Sequence, residues 1–299
     1  MGRTGSLPTH ILKKVNHSCL SCLPGPDRVV DRRAKVVNLP THFRGPPTSG
    51  NGGVAAGIYP CLGAEALLDD VAQLHVRLHK PIPLNTDLDF QIGEPKDSRV
   101  DVSVTHNNAA VLSGWVSSVA QDPLMTDDTL SELRSHSVLS SQQQARFDQY
   151  VELPGPSSVD FAECFVCGPD ARRGLRLRLR PVTDEIFWKD WRPDHRWEDN
   201  GLLASLPAVA ALDCTSAAGF HLNGVLEQHE SCLLGTYDAQ LGPAAPINNS
   251  DGLRIISKTR VRDGRKIFTD IGLFSPNGTA HVLGKATWIV VSPEVAKGS

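Results

Sequence analysis

The feature that most constrains this chain is an echo between its two halves. Ala72-Gln73-Leu74 and the following Pro81-Ile82 return as Ala239-Gln240-Leu241 and Pro246-Ile247, at separations of 167 and 165 residues. Each set is followed by two alternating apolar runs around a turn. In the first half, Val100 to Val104 leads through Thr105-His106-Asn107-Asn108 into Ala110 to Val116. In the second, Ile267 to Leu273 leads through Ser275-Pro276-Asn277-Gly278 into Ala280 to Val291. Self-similarity at a fixed offset, with drifts of loop size, is the mark of a repeated unit. A chain of 299 residues has room for two such units.

Each unit orders its elements alike: a Gly-rich turn, a short apolar helix (Gly53 to Leu62, then Leu206 to Phe220), then antiparallel strands. One helix against several strands of period two predicts an α+β unit, the helix packed on a curved sheet. In Arg172 to Arg180, Leu175, Leu177 and Leu179 alternate with Arg176 and Arg178, which predicts a half-buried strand. The expected organisation is a flexible tail over 1–35, units over 36–120 and 159–292, and a C-terminal tail over 293–299. A polar linker over 121–158 carries a surface helix at Thr129 to Tyr150 and ends in Pro154-Gly155-Pro156.

Bulk properties remove some function classes. With a net charge of −3, no general affinity for nucleic acid is expected. No apolar run approaches the ~18–20 residues of a membrane span, and the N-terminus lacks the apolar core of a secretory signal. Seven cysteines, an odd number spread over a long chain, predict free thiols in a cytoplasmic protein and no disulfide framework. Cys19-Leu20-Ser21-Cys22 and Cys164-Phe165-Val166-Cys167 mimic four zinc ligands, but 141 residues separate them. That gap is far beyond compact zinc-ribbon spacing, so no metal site is expected.

Two places carry chemistry. Asn51-Gly52-Gly53 stands at a helix start, where unpaired N–H groups and a partial positive charge favour a developing anion. Glycine lets a ligand approach that backbone. The plainer alternative is an Asn N-cap on a Gly-rich turn. Asp213 follows the apolar run Leu206 to Leu212. Burial of a lone carboxyl raises its pKa and suits a general base; the alternative is an Asp on a polar helix face. Thr215 and Ser216 could position water or simply bond the preceding turn. Cys214 reads as a small core thiol.

The motif Cys164-Phe165-Val166-Cys167-Gly168-Pro169-Asp170, with Arg173-Gly174-Leu175, resembles the opening of hotdog thioesterase domains. Trp191-Arg192-Pro193, Asn200-Gly201, the Asp213 helix and Ala286-Thr287-Trp288-Ile289 follow in the order of that superfamily. Phe43-Arg44-Gly45 through Gly53 resembles the first helix start of a double hotdog subgroup. The likeness to the acyl-CoA thioesterase superfamily covers about residues 36–292. It implies a double hotdog with an acyl-thioester site at the seam of its two units. Backbone N–H groups of one helix start would hold the carbonyl oxygen, and a carboxylate from the other unit's helix would complete the site.

By that resemblance Asn51, Gly52, Gly53 and Asp213 form one composite catalytic site. The mirror site is degenerate, because the residue nine after Asn51 is Pro60. The implied activity is hydrolysis of acyl-CoA or acyl-carrier-protein thioesters, without metal or redox cofactor. Thr215, Ser216 and Tyr59 would line the substrate. Arg176 and Arg178, or Arg265 and Lys266 at a hairpin tip, could meet the carrier's phosphates; the plainer reading of Arg176 and Arg178 is a solvated strand face. The rival readings are a dehydratase, hydratase or cyclase on the same scaffold, and a non-catalytic binder of acyl ligands or a partner protein. Assembly into a homo-oligomer is left open.

Overall fold

The computed structural model of the protein describes residues 21–22, 25–138, 161–247 and 252–298. Its framework is a 12-stranded sheet. The first half contributes β1 (Val30–Asp31), β2 (Val36–Val37), β3 (Gln73–Leu78), β4 (Leu88–Ile92), β5 (Arg99–His106) and β6 (Ala109–Ser117). The second contributes β7 (Arg180–Pro181), β8 (Ile186–Trp191), β11 (Ser231–Leu241), β12 (Leu253–Asp263), β13 (Lys266–Phe274) and β14 (Ala280–Val291). The short β9 (Glu198–Asp199) and β10 (Leu202–Leu203) pair separately.

The strand order is β1-β2-β4-β5-β6-β3-β11-β14-β13-β12-β8-β7. It reads alike from either edge: β3 answers β11, β6 answers β14, β5 answers β13, and β4 answers β12. The two halves meet where β3 and β11 run antiparallel, with Gln73 opposite Gln240, His75 opposite Asp238 and Arg77 opposite Thr236. Across this seam His75 Nδ1 lies 2.7 Å from Asp238 Oδ1. The glutamines of the two sequence echoes therefore face one another across the joint.

Against the sheet lie α1 (Gly52–Gly57) and α2 (Tyr59–Leu67) from the first half, and α4 (Ser205–Ala210) and α5 (Asp213–Ser216) from the second; α3 (Asp127–Ser137) lies between. Helices α1 and α4 pass antiparallel at very close range. A Cβ on Gly57 would stand 2.7 Å from the Leu206 carbonyl oxygen, and one on Gly53 2.9 Å from that of Ala210. Only residues without a side chain allow this approach. The helices and the inner face of the sheet share one core, which includes Val54, Leu62, Leu74, Val209, Tyr237 and Ile271.

Several sequence expectations are corrected. The segment read as the end of a flexible tail contains β1 and the start of β2's hairpin, with Val29 and Val30 buried in the core. Leu175, Leu177 and Leu179 do point inward, but Arg172 to Leu179 forms no strand ladder. The segment is held by Leu175 and Leu177 N–H bonds to the carbonyls of Phe165 and Val166, and only Arg180 enters a strand.

The linker helix starts earlier than expected, because Thr126 caps it and Asp127 and Asp128 fill its first turn. It ends at Ser137; residues 139–160, including the Pro154 segment, lie outside the described residues. The helix read as Gly53 to Leu62 breaks at Ile58 and runs on to Leu67. That read as Leu206 to Phe220 divides into two short pieces and ends at Ser216. The C-terminal tail contains a further helix, α6 (Pro293–Lys297), tied back by Thr48 Oγ1 donating to the Lys297 carbonyl. Cys22 and Cys61 form a disulfide, so the expectation of free thiols throughout does not hold. No helix among the described residues is long and apolar enough to cross a membrane.

Candidate active site

The site lies over the β3–β11 seam, where the start of α1 meets the start of α5. Asn51 is the N-cap of α1, and its side-chain oxygen accepts from the Val54 N–H. That satisfies one of the donors a helix start leaves open. Of the following glycines, Gly53 is required by packing, while Gly52 faces side-chain ends that can shift. A Cβ on Gly52 would stand 2.8 Å from Leu234, and one on Gly53 2.4 Å from the Asp213 Cβ. The backbone of α1 thus lies directly against the opposing half.

Asp213 opens α5 and is 2% exposed. Its Oδ2 accepts from the Gly53 N–H at 2.9 Å, a bond between residues 160 apart in the chain. Burial pushes this carboxyl up to about 7, and the Cys164 sulfur adds to that; the Gly53 N–H and the Asn51 amide act in the opposite direction. Among the described residues no hydrogen bond of normal geometry reaches Oδ1. The site therefore holds a buried carboxyl with one oxygen anchored and the other uncommitted.

Three sulfurs complete the surroundings. Cys164 and Cys214 lie 3.5 Å apart, and the Asn51 side-chain amide points toward both, 4.0 and 3.7 Å away. Hydrogen bonds from Cys167 and Cys214 hold the Cys164 thiol well below its ordinary range against the effect of burial.

A mainly apolar cavity of about 220 Å³ opens beside these groups. Leu78 from β3, Leu234 from β11 and Trp288 from β14 contribute to its walls, and Val295 and Ala296 of α6 close one side. His79 and Lys80, at the end of β3, are exposed at its margin.

The structure thus brings together Asn51, Gly52, Gly53 and Asp213, and it does not bring the other expected residues to the cavity. Thr215 Oγ1 donates to the Ala211 carbonyl and Ser216 Oγ to that of Asp213, so both hydroxyls bond the preceding turn. Ser216 Oγ also accepts from Trp288 Nε1 at 2.9 Å. Tyr59 is fully buried in the core, its hydroxyl 3.5 Å from the Val102 carbonyl. Arg176 is exposed on its loop, and Arg178 donates to the Cys167 carbonyl. Arg265 and Lys266 are exposed at the β12–β13 hairpin tip. There Arg265 Nε donates to the Val290 carbonyl, between the wall residues Ile289 and Val291.

Sequence reasoning missed Lys80, the wall supplied by α6, and the approach of Cys214 to the Cys164 turn. Lys80 sits beside the repeated Pro81-Ile82, which was a usable signal; the other two depend on tertiary contacts alone.

The opposite end of the helix pair offers an internal control. Ala204 is the N-cap of α4 and makes no side-chain capping bond. Counting nine residues from the caps Asn51 and Ala204 reaches Pro60 and Asp213 respectively. A second cavity, of about 480 Å³, lies there, lined in part by Pro60, Ala204 and Ser205. It has a proline where the first site has its carboxylate.

Neither a protein-family model nor a curated protein matches the sequence. Solved structures do match over most of the chain. A hot dog fold protein of unknown function from Alicyclobacillus acidocaldarius superposes with a TM-score of 0.55 at 11% identity, covering 86% of this chain and 93% of that one. The protein is a double hotdog. A putative thioesterase from Novosphingobium aromaticivorans shares this double hotdog architecture with a TM-score of 0.51 at 11% identity, covering 85% and 94%. The dehydratase domain of PpsC from Mycobacterium tuberculosis, solved in complex with C12:1-CoA, does so with a TM-score of 0.52 at 12% identity, covering 86% and 92%. At these identities the likeness fixes the fold, and the chemistry of this double hotdog must be argued from its own site.

Proposed function

We propose that the protein hydrolyses acyl thioesters of coenzyme A or acyl-carrier protein at the single composite site formed by Asn51, Gly52, Gly53 and Asp213. The observation that carries this reading is the buried Asp213 carboxyl, anchored by the Gly53 N–H from the other half and set against an apolar cavity. The acyl chain occupies the cavity, with its thioester carbonyl at the start of α1. There the Gly52 N–H, a donor the helix geometry leaves open, faces the carbonyl oxygen. The Gly53 N–H is committed to Asp213, so its part is to orient the base; this differs from the expectation that both glycine N–H groups hold the oxyanion.

Asp213 Oδ1 takes a proton from water as that water attacks the thioester carbon. The carbon–sulfur bond then breaks, the thiolate leaves, and Asp213 returns the proton to it. The exposed Lys80 at the cavity margin, and Arg265 beside the far wall, suit the phosphates of either carrier. The compartment proposed with this activity is the cytoplasm.

A dehydratase is the second reading, favoured by one observation: His79 borders the same cavity as Asp213. Its exposure and its 2.7 Å contact with Ser113 Oγ hold it at the margin, which places hydrolysis first.

The test is free-thiol release from a panel of acyl-CoAs, short, long and aromatic, by wild type and Asp213→Asn. Turnover that collapses in the variant supports the hydrolase. Full activity in the variant removes Asp213 from the mechanism. Water loss from 3-hydroxyacyl thioesters without thiol release transfers the site to the dehydratase reading, and tight binding without turnover makes the protein a binder.

A further inference from the structure

We propose that Cys164, Cys167 and Cys214 form a three-thiolate site for a soft divalent metal, zinc by chemical preference. The inference goes beyond the hydrolase reading and does not depend on it. The expectation of no metal looked for a second ligand pair in the Cys19 to Cys22 segment. The fold supplies a different third ligand, Cys214, from the opening turn of α5.

The sulfur atoms of Cys164, Cys167 and Cys214 all lie within 4.8 Å of one another, and Cys164 and Cys214 are 3.5 Å apart. Zinc binds thiolate at about 2.3 Å, so a tetrahedral site needs sulfurs about 3.8 Å apart. The cluster meets that spacing with small side-chain adjustments.

The turn that carries two of them is built as a ligand turn. The Gly168 N–H donates to the Cys164 carbonyl at 2.8 Å, which closes the turn and sets Cys164 and Cys167 side by side. Gly168 is required at the turn, since a Cβ there would stand 2.4 Å from the Cys164 nitrogen and 2.5 Å from the Ala162 carbonyl oxygen.

Two further groups point to a ligand. The Asn51 amide, 3.7 and 4.0 Å from the Cys214 and Cys164 sulfurs, is a donor suited to bound thiolates. Asp213, the chain neighbour of Cys214, is buried, and among the described residues no hydrogen bond of normal geometry reaches its Oδ1. Cys164 and Cys214 also border the seam cavity, so the fourth coordination position faces a space that a small ligand can enter. Three protein ligands with an open fourth position describe a non-structural zinc site. Cys232, the other free cysteine among the described residues, is buried outside the cluster and serves as a control.

The experiment uses the full chain, reduced and stripped of metal, titrated with Co²⁺ alone. The expected result is one cobalt per chain, with a thiolate-to-cobalt charge-transfer band and intense tetrahedral ligand-field bands that Zn²⁺ displaces. Cys164→Ser, Cys167→Ser and Cys214→Ser should each weaken binding by roughly tenfold or more, and Cys232→Ser should leave it unchanged. Circular dichroism of each metal-free variant separates loss of a ligand from loss of fold. If a variant unfolds, the wild type decides the matter: Cd²⁺ should protect Cys164, Cys167 and Cys214, but not Cys232, from alkylation mapped by mass spectrometry. Absence of the charge-transfer band, a band that survives Cys214→Ser, or alkylation unaffected by Cd²⁺ would each overturn the proposal. None of these readouts involves thioester turnover, so failure here and failure of the hydrolase reading are separate results.

Discussion

A carboxylate in an apolar helical run is costly to bury without a partner, and Asp213 has found one partner for one of its two oxygens. Asp213→Asn keeps a side-chain oxygen able to accept from the Gly53 N–H and removes the base. The expected result is a fall in kcat of about 10²–10⁴-fold, with a melting temperature close to wild type, read from thiol release and thermal melts on the same samples. Gly53→Ala tests the contact from the other side. Its Cβ would stand 2.4 Å from the Asp213 Cβ and 2.9 Å from a backbone carbonyl, neither of which is a flexible end that can yield. A loss of about 1–3 kcal/mol is expected in urea unfolding, together with loss of turnover. Two glycines at a helix start and one acid after an apolar run marked Asn51, Gly52, Gly53 and Asp213 as candidates, but an Asn N-cap and a polar-face Asp fitted those residues too; that the two places meet across the seam was implied by the family resemblance alone. Tyr59, Thr215 and Ser216 misled because a hydroxyl's direction is set by the nearest acceptor in the fold, here the carbonyls of Val102, Ala211 and Asp213.

At the scale of elements, α1 has six residues and draws little stability from its own hydrogen bonds. Its position depends on the Asn51 cap and on close packing against α4. Asn51→Ala removes the bond to the Val54 N–H and should cost about 1 kcal/mol, measured as a shift in urea midpoint at constant slope. Because Asn51 also faces the Cys164 and Cys214 sulfurs, the same variant should loosen the geometry around Asp213 and reduce turnover more than that stability change explains. The hairpins β5–β6 and β13–β14 were legible because period-two runs around Asn-Asn and Pro-Asn-Gly turns admit few other conformations. The Arg172 to Arg180 run shares that period yet forms no ladder over Arg172 to Leu179. Alternation records which side chains are buried, not which backbone accepts the hydrogen bonds, and here the acceptors are Phe165 and Val166 of the Cys164 turn.

Over the whole molecule, the sequence echoes foretold two similar units but could not say which strands would join them. The answer, β3 against β11, leaves two helix-start sites related by the palindromic strand order, of which only one has a carboxylate at the ninth residue after a helix cap, Asp213, where the other has Pro60. The halves are joined away from the seam as well. Asp27, from the segment read as tail, meets His42 Nε2 at 3.0 Å and Arg173 Nη2, from the second half, at 2.6 Å. Burial raises the Asp27 pKa, but the bonds from His42 and Arg173 outweigh it and leave the carboxyl below its ordinary value. A carboxyl depressed on folding contributes stability above its unfolded pKa of about 3.9. That contribution is lost as pH falls through the lower folded value. The pair is partly open to solvent, so its full worth is about 1 kcal/mol at most. Asp27→Asn should therefore lower the urea midpoint at pH 7, and the gap between variant and wild type should narrow steadily as the pH is taken below about 4. A gap that stays constant with pH would assign the effect to lost packing, and no gap at pH 7 would mean that the tail segment adds nothing to the joining of the halves.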